Sequence, residues 1–138
     1  MTGIAGHTLN TLNWLDTGAV RWAAPEILNA EQDGPDIQYT RASDVFSFGM
    51  CLLHVCAALV YGVKLSLTCG YKILSGVKPF SPLAFGMIRH KLLRGEFPDR
   101  PSDMHEAMWD IAQSCWQYVP ENRPTAATLA LHLHLLLD

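Results

Sequence analysis

The chain has 138 residues, of which 49% are hydrophobic and 17% are charged, so it is long and apolar enough to fold as one globular domain. Its net charge is -3 and its ten Lys and Arg residues are scattered singly, which excludes the basic face that nucleic acid or an anionic lipid surface requires. No charged segment followed by an apolar run opens the chain, so we expect an intracellular, cytoplasmic protein without a secretory signal.

Prolines, glycines and helical periodicity divide the first half of the chain. Residues 1–16 are rich in Gly, Thr and Asn without periodicity, and we expect them to be poorly ordered. Pro25 suits a first helical turn, so a short helix is predicted from there to the polar run that begins at Ala30. A second helix is predicted from Thr40, with Thr40 or Ser43 as its cap. Its residues at helical spacing are Val45, Phe48, Gly49, Leu52, Leu53 and Cys56.

This second helix is apolar almost all round, because Phe46 and Met50 occupy its other faces. Such a helix belongs at the centre of a domain or in a membrane. The apolar run stops at Lys64, short of the roughly eighteen residues that a membrane span needs. We therefore expect a central core helix and no membrane partner.

The second half of the chain contains three more helical patterns. Residues 83–94 predict a helix closed by Gly95, and an extended, proline-bounded connection follows. Residues 103–117 predict an amphipathic helix, and Pro124 is predicted to open the last one. The leucine stripe of that last helix consists of Leu129, Leu133 and Leu136. Because no strand pattern exceeds four residues, the predicted fold class is all-α.

Histidines and cysteines do not form a metal or disulfide framework in this sequence. His132 and His134 lie two positions apart, so on a helix they point roughly 200° from one another, whereas helical zinc pairs need a spacing of four. The four cysteines form no C-x-x-C pair and stand among apolar residues. We expect no metal site, and we expect the cysteines to be reduced residues of the core.

Three separated stretches carry a family resemblance. They are "GAVRWAAPEIL" at 18–28, "SDVFSFGMCLL" at 43–53 and "CWQYVPENRPT" at 115–125. Together they resemble the second half of a eukaryotic-type protein kinase domain, and they are most similar to the tyrosine-kinase-like branch of the Ser/Thr kinases. The resemblance implies the helical C-terminal lobe of that fold, helices EF to I, over residues 17–138, without the N-terminal lobe. It also makes residues 1–16 the remainder of an activation segment.

The resemblance implies roles for two groups of residues. The first group matches the loop beneath the residue that is phosphorylated, and it consists of Gly18, Ala19, Val20, Arg21 and Trp22. Most Ser/Thr kinases carry a hydroxyl at the position of Ala19, and alanine cannot supply it. The second group matches structural positions, and it consists of Pro25, Glu26, Asp44, Trp116 and Arg123.

Within the structural group, the resemblance implies a buried ion pair between Glu26 and Arg123. Without the resemblance, these residues would be interpreted as two solvated surface charges. The family's aspartate at the position of Asp44 accepts backbone hydrogen bonds from the catalytic loop. By itself, Asp44 is a carboxylate that the dipole favours at a helix start.

The kinase elements that bind nucleotide and metal are not in this sequence. Phosphoryl transfer by the family needs a Gly-rich loop, a strand lysine, an H-R-D-type catalytic loop and the aspartate of D-F-G, with ATP and magnesium as cofactors. None of these motifs occurs in residues 1–138. We therefore predict no catalytic, cofactor-binding or metal-binding residue here, and no phosphate transfer by this chain alone.

Two functions follow from the resemblance, and both use protein partners. The chain is either a fragment of a protein kinase, whose activity resides in residues outside this sequence, or a non-catalytic helical interaction module derived from a kinase lobe. A protein substrate or docking partner would bind to the C-terminal lobe in either case. An unrelated small helical bundle is a third interpretation.

Residues 55–72 interrupt the resemblance. The family's spacing between the positions of Asp44 and Pro79 is shorter than here, and removal of these residues restores it by joining His54 to Ile73. The codons implied at both ends are compatible with a fungal-type intron. The hypothesis is an unspliced, translated intron, and the alternative is a true insertion.

Overall fold

The computed structural model describes residues 18–33, 38–60, 78–101 and 104–137. The described residues form five α-helices and two 3-10 turns, and they contain no strand, as the sequence predicts. The helices are α1 (Pro25–Asp33), α2 (Arg41–Val60), α3 (Phe85–Leu93), α4 (Glu106–Cys115) and α5 (Ala126–Leu137). The 3-10 turns are Ala19–Arg21 and Pro120–Asn122.

Helix α2 is the centre of the described fold. It begins with a reciprocal cap, in which the Ser43 amide donates to Thr40 Oγ1 at 3.1 Å and the Thr40 amide donates to Ser43 Oγ at 3.0 Å. The two candidate caps therefore act together rather than as alternatives, since each satisfies an amide that the first helical turn leaves unpaired. Among the side chains that the structure describes, the buried apolar ones of α2 are Val45, Phe46, Met50 and Leu53.

The sequence-based assignment of the buried face of α2 was partly wrong. Phe48, expected to face the core, is 38% exposed, whereas Phe46 and Met50, placed on other faces, are fully buried. Cys51 is exposed rather than buried, and Cys115 is buried. On a helix that is apolar on every side, the sequence period does not show which face is buried. The buried face is determined by packing against neighbouring helices.

Helix α2 and the end of α4 approach one another closely at Gly49. A Cβ built on Gly49 would lie 2.6 Å from the Cβ of Cys115 and 2.7 Å from Nε1 of Trp116. These distances are shorter than real side chains tolerate, so only glycine lets the two helices pack this closely. Trp116 is 1% exposed, stacks on the Phe97 ring and meets the Trp109 ring edge-to-face.

The other helix boundaries differ from the predicted ones by a few residues. Helix α1 begins at Pro25 as predicted but continues past Ala30 to Asp33. Helix α4 begins after His105, whose Nδ1 accepts from the Ala107 amide, rather than at residue 103. Thr125, not Pro124, caps α5 by accepting from the Thr128 amide. These side-chain caps decide the boundaries, and proline marks only their neighbourhood.

Helix α3 packs against α1 and the 3-10 turn Ala19–Arg21. Gly95 has a φ of +70°, the left-handed conformation that ends helices and that glycine adopts without strain. Arg89 of α3 donates to the Leu28 carbonyl of α1 at 2.9 Å, and Ile88 and Leu92 are fully buried beneath it. The helix therefore packs with its buried face toward α1 and the core.

Two sequence predictions fall outside the described residues. Residues 1–16 lie outside them, and so does most of the predicted insertion 55–72. Helix α2 continues without a break past His54, where the predicted insertion begins, and the helix ends at Val60. Among the described helices, none combines the length and apolar character needed to cross a membrane.

Candidate functional site

Arg123 and Glu26 form an ion pair in the interior of the described fold, 97 positions apart in the chain. Arg123 Nη1 lies 2.6 Å from Glu26 Oε1, and Nη2 lies 2.8 Å from Oε2, so the contact is bidentate. The Arg123 side chain is 0% exposed and that of Glu26 is 28% exposed. Parallel paired bonds of this kind add geometric specificity as well as energy.

Backbone carbonyls accept the remaining donors of Arg123. Nη1 donates to the Ala42 carbonyl at 2.9 Å, Nε to Gln117 at 2.8 Å and Nη2 to Tyr118 at 3.3 Å. A guanidinium has five N–H groups, and each of those of Arg123 thus has an acceptor. The guanidinium also lies over the Phe46 ring, 5.1 Å from its centroid. Arg123 therefore joins the start of α1, the first turn of α2 and the segment after α4.

The loop from Gly18 to Trp22 forms the second connected region. Gly18 is buried and has a φ of +86°, and a Cβ there would lie 3.3 Å from the Phe85 ring. This combination of left-handed backbone and close contact favours glycine. A 3-10 turn follows, and Val20 within it is 1% exposed. The loop is thus packed against the start of α3.

Arg21 attaches this loop to the segment before α3. Its Nη1 donates to the Pro79 carbonyl at 2.6 Å, and its Nη2 donates to the Leu83 carbonyl at 3.1 Å. Its Cζ lies 5.5 Å from the centroid of the Phe85 ring. These contacts cross 58 and 62 positions of sequence, so Arg21 orients the loop relative to α3.

Trp22 attaches the other end of the loop to α2. Its carbonyl accepts from Ser47 Oγ at 2.9 Å, and its ring lies 6.1 Å from the ring of His54. His54 is 5% exposed, and its Nε2 has no hydrogen-bond partner among the described residues. Ala19 is partly buried and presents only a methyl group. The loop is therefore held by its neighbours on both sides.

The remaining residues of the sequence-based set lie in different places. Pro25 is fully buried at the first position of α1, beside the ion pair. Trp116 lies in the aromatic cluster under Gly49. Asp44 is exposed in the first turn of α2, and the structure does not bring its side chain to the ion pair or to the loop.

Sequence reasoning missed the contacts of Arg21 and Phe46. Arg21 was named only as a loop residue, and nothing indicated that it bonds to Pro79 and Leu83. Phe46 was not connected with Arg123. No sequence signal identifies a carbonyl acceptor, because every residue carries the same carbonyl group.

A family model described as protein tyrosine and serine/threonine kinase matches residues 9–133. The chain belongs to the protein kinase family. The match includes the loop at Gly18, both partners of the ion pair and all of α2 to α4. The described helices are accordingly those of the C-terminal lobe of the kinase fold.

Curated relatives include kinases of both substrate classes. The chain is 30% identical to a putative serine/threonine-protein kinase/receptor of Acanthamoeba polyphaga mimivirus over 87% of its length, and 29% identical to the tyrosine-protein kinase Fer of Rattus norvegicus over 80%. It is 28% identical over 86% of its length to the tyrosine-protein kinase transforming protein RYK of avian retrovirus RPL30. The chain spans 6%, 11% and 22% of the mimivirus, rat and retroviral proteins, respectively.

The protein kinase family uses ATP and magnesium, and the described residues do not fit either group. No cluster of three or more His, Cys, Asp or Glu side chains that could hold a metal ion occurs among the described residues. Arg21, the cation within the loop, donates to two backbone carbonyls.

Proposed function

We propose that this chain is the peptide-binding part of a protein kinase domain that phosphorylates serine or threonine of protein substrates in the cytoplasm, within the tyrosine-kinase-like branch. The observation that carries the proposal is the attachment of the loop Gly18–Trp22 at both ends, by Arg21 to the segment before α3 and by Ser47 of α2. A substrate backbone that lies on this loop meets a surface whose position is determined in advance. Preorganised positioning of this kind is a main contribution of a protein to phosphoryl transfer.

The buried ion pair supports the same proposal. Glu26 lies four residues after Trp22, so the pair links the segment that carries the loop to α2 and to the segment after α4. The Arg123 side chain is fully buried and all its donors are satisfied, so the contact resists displacement, since loss of Glu26 leaves a buried charge uncompensated. Pro25 and Glu26 then fix the segment that follows the loop, and Arg123 holds this segment through its contact with Glu26.

The 138 residues by themselves are proposed to be inactive. The sequence contains no Gly-rich phosphate loop, H-R-D or D-F-G motif, and the described residues offer no set of ligands for magnesium. Isothermal titration calorimetry with Mg-ATP should therefore give no binding heat above dilution. A micromolar binding constant would contradict the inactive assignment.

The activity of the whole protein is tested with the polypeptide encoded by the mature transcript. Transfer of labelled phosphate from ATP to a Ser/Thr peptide is expected, and a matched Tyr peptide measures the other substrate class. Arg21→Met should raise KM for the peptide and leave KM for ATP unchanged, since Arg21 orients the loop without facing nucleotide. Equal changes in the KM for peptide and the KM for ATP would contradict the role assigned to the loop.

A second candidate function is a non-catalytic helical docking module. Exposed apolar side chains on α3 and α5 favour it, among them Met87 at 55% and Leu135 at 64% exposure. A mature transcript that encodes only the 138 residues would favour the docking module. A transcript that also encodes the phosphate loop and the H-R-D and D-F-G motifs would select the kinase.

Residues 55–72 are proposed to be absent from the working protein, as translated intron sequence rather than a true insertion. Leu53 and Pro79 line the same cavity, so the two sides of the segment lie near one another in the fold. With His54 joined to Ile73, residues 73–77 bridge up to about 17 Å when extended. Sequencing of the mature transcript tests this directly, and a message that retains the segment overturns it.

A further inference from the structure

A cavity of about 710 Å³ is lined by the segments on both sides of α3. Its walls are formed by residues 78–83 and 96–99, together with Leu53, Lys91 and Pro101. Small-molecule sites in proteins typically enclose about 300 to 1,000 Å³, so this volume suits a ligand of low molecular mass. None of residues 18–22 lines the cavity, so it is distinct from the proposed peptide-binding loop.

Rings form most of the apolar wall of this cavity. Two of them are the aromatic rings of Phe80 and Phe97, and four prolines add theirs, namely Pro79, Pro82, Pro98 and Pro101. Phe80 has a φ of +60°, which a residue with a bulky side chain rarely adopts, so its neighbours hold it in this conformation. A flat ring packs against aromatic faces and edges better than a branched aliphatic group does. The wall therefore favours an aromatic ligand.

Phe97 joins the cavity to the aromatic core. Its ring stacks on Trp116 with the centroids 6.0 Å apart, and it lies 6.1 Å from the Phe46 ring. Phe97 is thus held from behind by two other rings. A ligand ring placed on its open side lengthens the stack and changes the surroundings of Trp116.

The charges in the wall select among aromatic ligands. Lys91 Nζ lies 2.8 Å from Glu96 Oε2, so these two charges already compensate each other. The other charged lining residues are Lys78 and Asp99, which are both exposed. Within the described part of the chain, neither of these two side chains has an ion pair or a hydrogen bond. One cation and one anion remain, and together they complement a zwitterion better than a simple anion or cation.

We propose that this cavity binds a free aromatic α-amino acid. The ring packs against Phe80 and Phe97, the carboxylate pairs with Lys78, and the ammonium group pairs with Asp99. The charged groups remain wet, so we expect a dissociation constant of about 0.1 to 1 mM for a ligand of this size.

The inference goes beyond the proposed function, because binding requires neither nucleotide nor a peptide on the loop. The cavity nevertheless lies next to the attachment of that loop. Pro79 and Leu83, whose carbonyls accept from Arg21, both line it. A bound amino acid therefore contacts the segment that orients the loop.

The experiment is isothermal titration calorimetry of the 138-residue chain with L-phenylalanine. Three related compounds each lack one feature: N-acetyl-L-phenylalanine lacks the ammonium group, L-phenylalaninamide lacks the carboxylate, and L-leucine lacks the ring. L-phenylalanine should bind, and each of the other three should bind at least about tenfold more weakly. Tryptophan emission should change with the same midpoint, because Trp116 stacks on Phe97.

Two variants at exposed positions test the charged contacts. Lys78→Met and Asp99→Asn should each weaken the binding of L-phenylalanine at least about tenfold. Lys78→Met should also bind L-phenylalanine and its amide alike, because the partner of the carboxylate is gone. Arg41→Met on α2 and Asp110→Asn on α4 change exposed charges outside the cavity and should leave binding unchanged. Circular dichroism melting of each variant checks that the fold is retained.

Four results overturn the proposal. The first is no binding of L-phenylalanine at millimolar concentration, and the second is equal affinity for all four compounds. The third is equal loss of binding in the Asp99→Asn and Asp110→Asn variants. The fourth is binding heat without a change in tryptophan emission, because the ligand would then lie elsewhere. Phosphate transfer by the whole protein is measured separately and does not depend on these results, so the two hypotheses fail separately.

Discussion

Arg123 and Arg21 both join segments that are far apart in the sequence, but the regions around them are held together differently. Arg123 is completely buried and meets a carboxylate, three carbonyls and the face of Phe46. Arg21 is only partly buried and meets two carbonyls and the face of Phe85. One region contains a compensated charge pair, and the other contains a charge that solvent still reaches.

This difference in burial means that Arg123 contributes mainly to the stability of the fold, whereas Arg21 mainly positions the loop. Removing Glu26 leaves on the buried Arg123 side chain a charge that water cannot reach, so the whole fold is destabilised. Removing a partly solvated arginine loses hydrogen bonds and leaves carbonyls that water can satisfy. We therefore expect changes near Arg123 to unfold the protein and changes near Arg21 to loosen one loop.

Glu26→Gln is the strongest test of this comparison. One amide oxygen can still accept from Arg123, but the amide NH₂ then faces the second guanidinium nitrogen, and the positive charge is uncompensated. We expect a loss of about 3 to 5 kcal/mol in the free energy of unfolding, measured by urea denaturation. The exposed Glu121 supplies the control, and Glu121→Gln should change stability by less than about 0.5 kcal/mol. If both variants behave alike, the buried pair does not carry the stability assigned to it.

Gly49→Ala tests the packing beside the ion pair. The added methyl group meets Cys115 Cβ and Trp116 Nε1 at under 3 Å, so we expect a loss of about 1 to 3 kcal/mol from overpacking. Gly86→Ala has open space around the new methyl group and should stabilise the protein by up to about 1 kcal/mol through helix propensity. Thermal melting of the two variants should therefore show shifts of opposite sign. Shifts of the same sign contradict the packing described here.

Arg21→Met tests the loop region. Two hydrogen bonds from a charged donor are lost, and solvent offsets part of this loss, so we expect local destabilisation of about 1 kcal/mol. Amide hydrogen exchange of residues 18–22 should accelerate, whereas exchange in α4 should not. Arg41→Met, at an exposed helix start, is the matched control and should leave the loop unchanged. Acceleration across the whole fold would mean that Arg21 acts like Arg123.

The cap of α2 provides a smaller test, because it lies next to Ala42, whose carbonyl accepts from Arg123. Thr40→Ala removes the hydroxyl that accepts from the Ser43 amide, and the expected loss is about 1 kcal/mol by urea denaturation. Thr40→Ser keeps the hydroxyl and should retain most of the stability. If serine is no better than alanine, the hydroxyl is not the capping group.

The smallest expected effect on stability at neutral pH is that of the Cys115 thiol, which lies beside Gly49. Burial raises the pKa of the Cys115 thiol from its ordinary value of 9.0 to about 11. The folded state therefore keeps a proton that the unfolded state releases, so stability falls as the pH rises from about 9 to about 11 and is unaffected below that range.

Cys115→Ser removes this titration, so its stability should depend less steeply on pH between 9 and 11. Urea denaturation across that range measures the two slopes. Identical slopes for the variant and the parent chain would show that Cys115 does not contribute to the pH dependence.

The positions of the helices were largely predictable, because proline, glycine and apolar periodicity act over a few neighbouring residues. Pro25 opens α1 and Gly95 follows the end of α3, as the sequence indicates. The exact boundaries and buried faces were less predictable. Phe48 was assigned to the core and is partly exposed, because α2 is apolar on several sides and its partner helix selects the buried one.

The sequence by itself determined the kinase family and the helical class, since short motifs and local patterns carry both. Tertiary structure alone decided that Arg123 satisfies all five of its donors, that Arg21 holds the loop through two carbonyls, and that Met87 faces outward. The physical reason is that a guanidinium's partners are mostly backbone oxygens, which are identical in every residue. Folding must bring such oxygens within about 3 Å before they become specific partners.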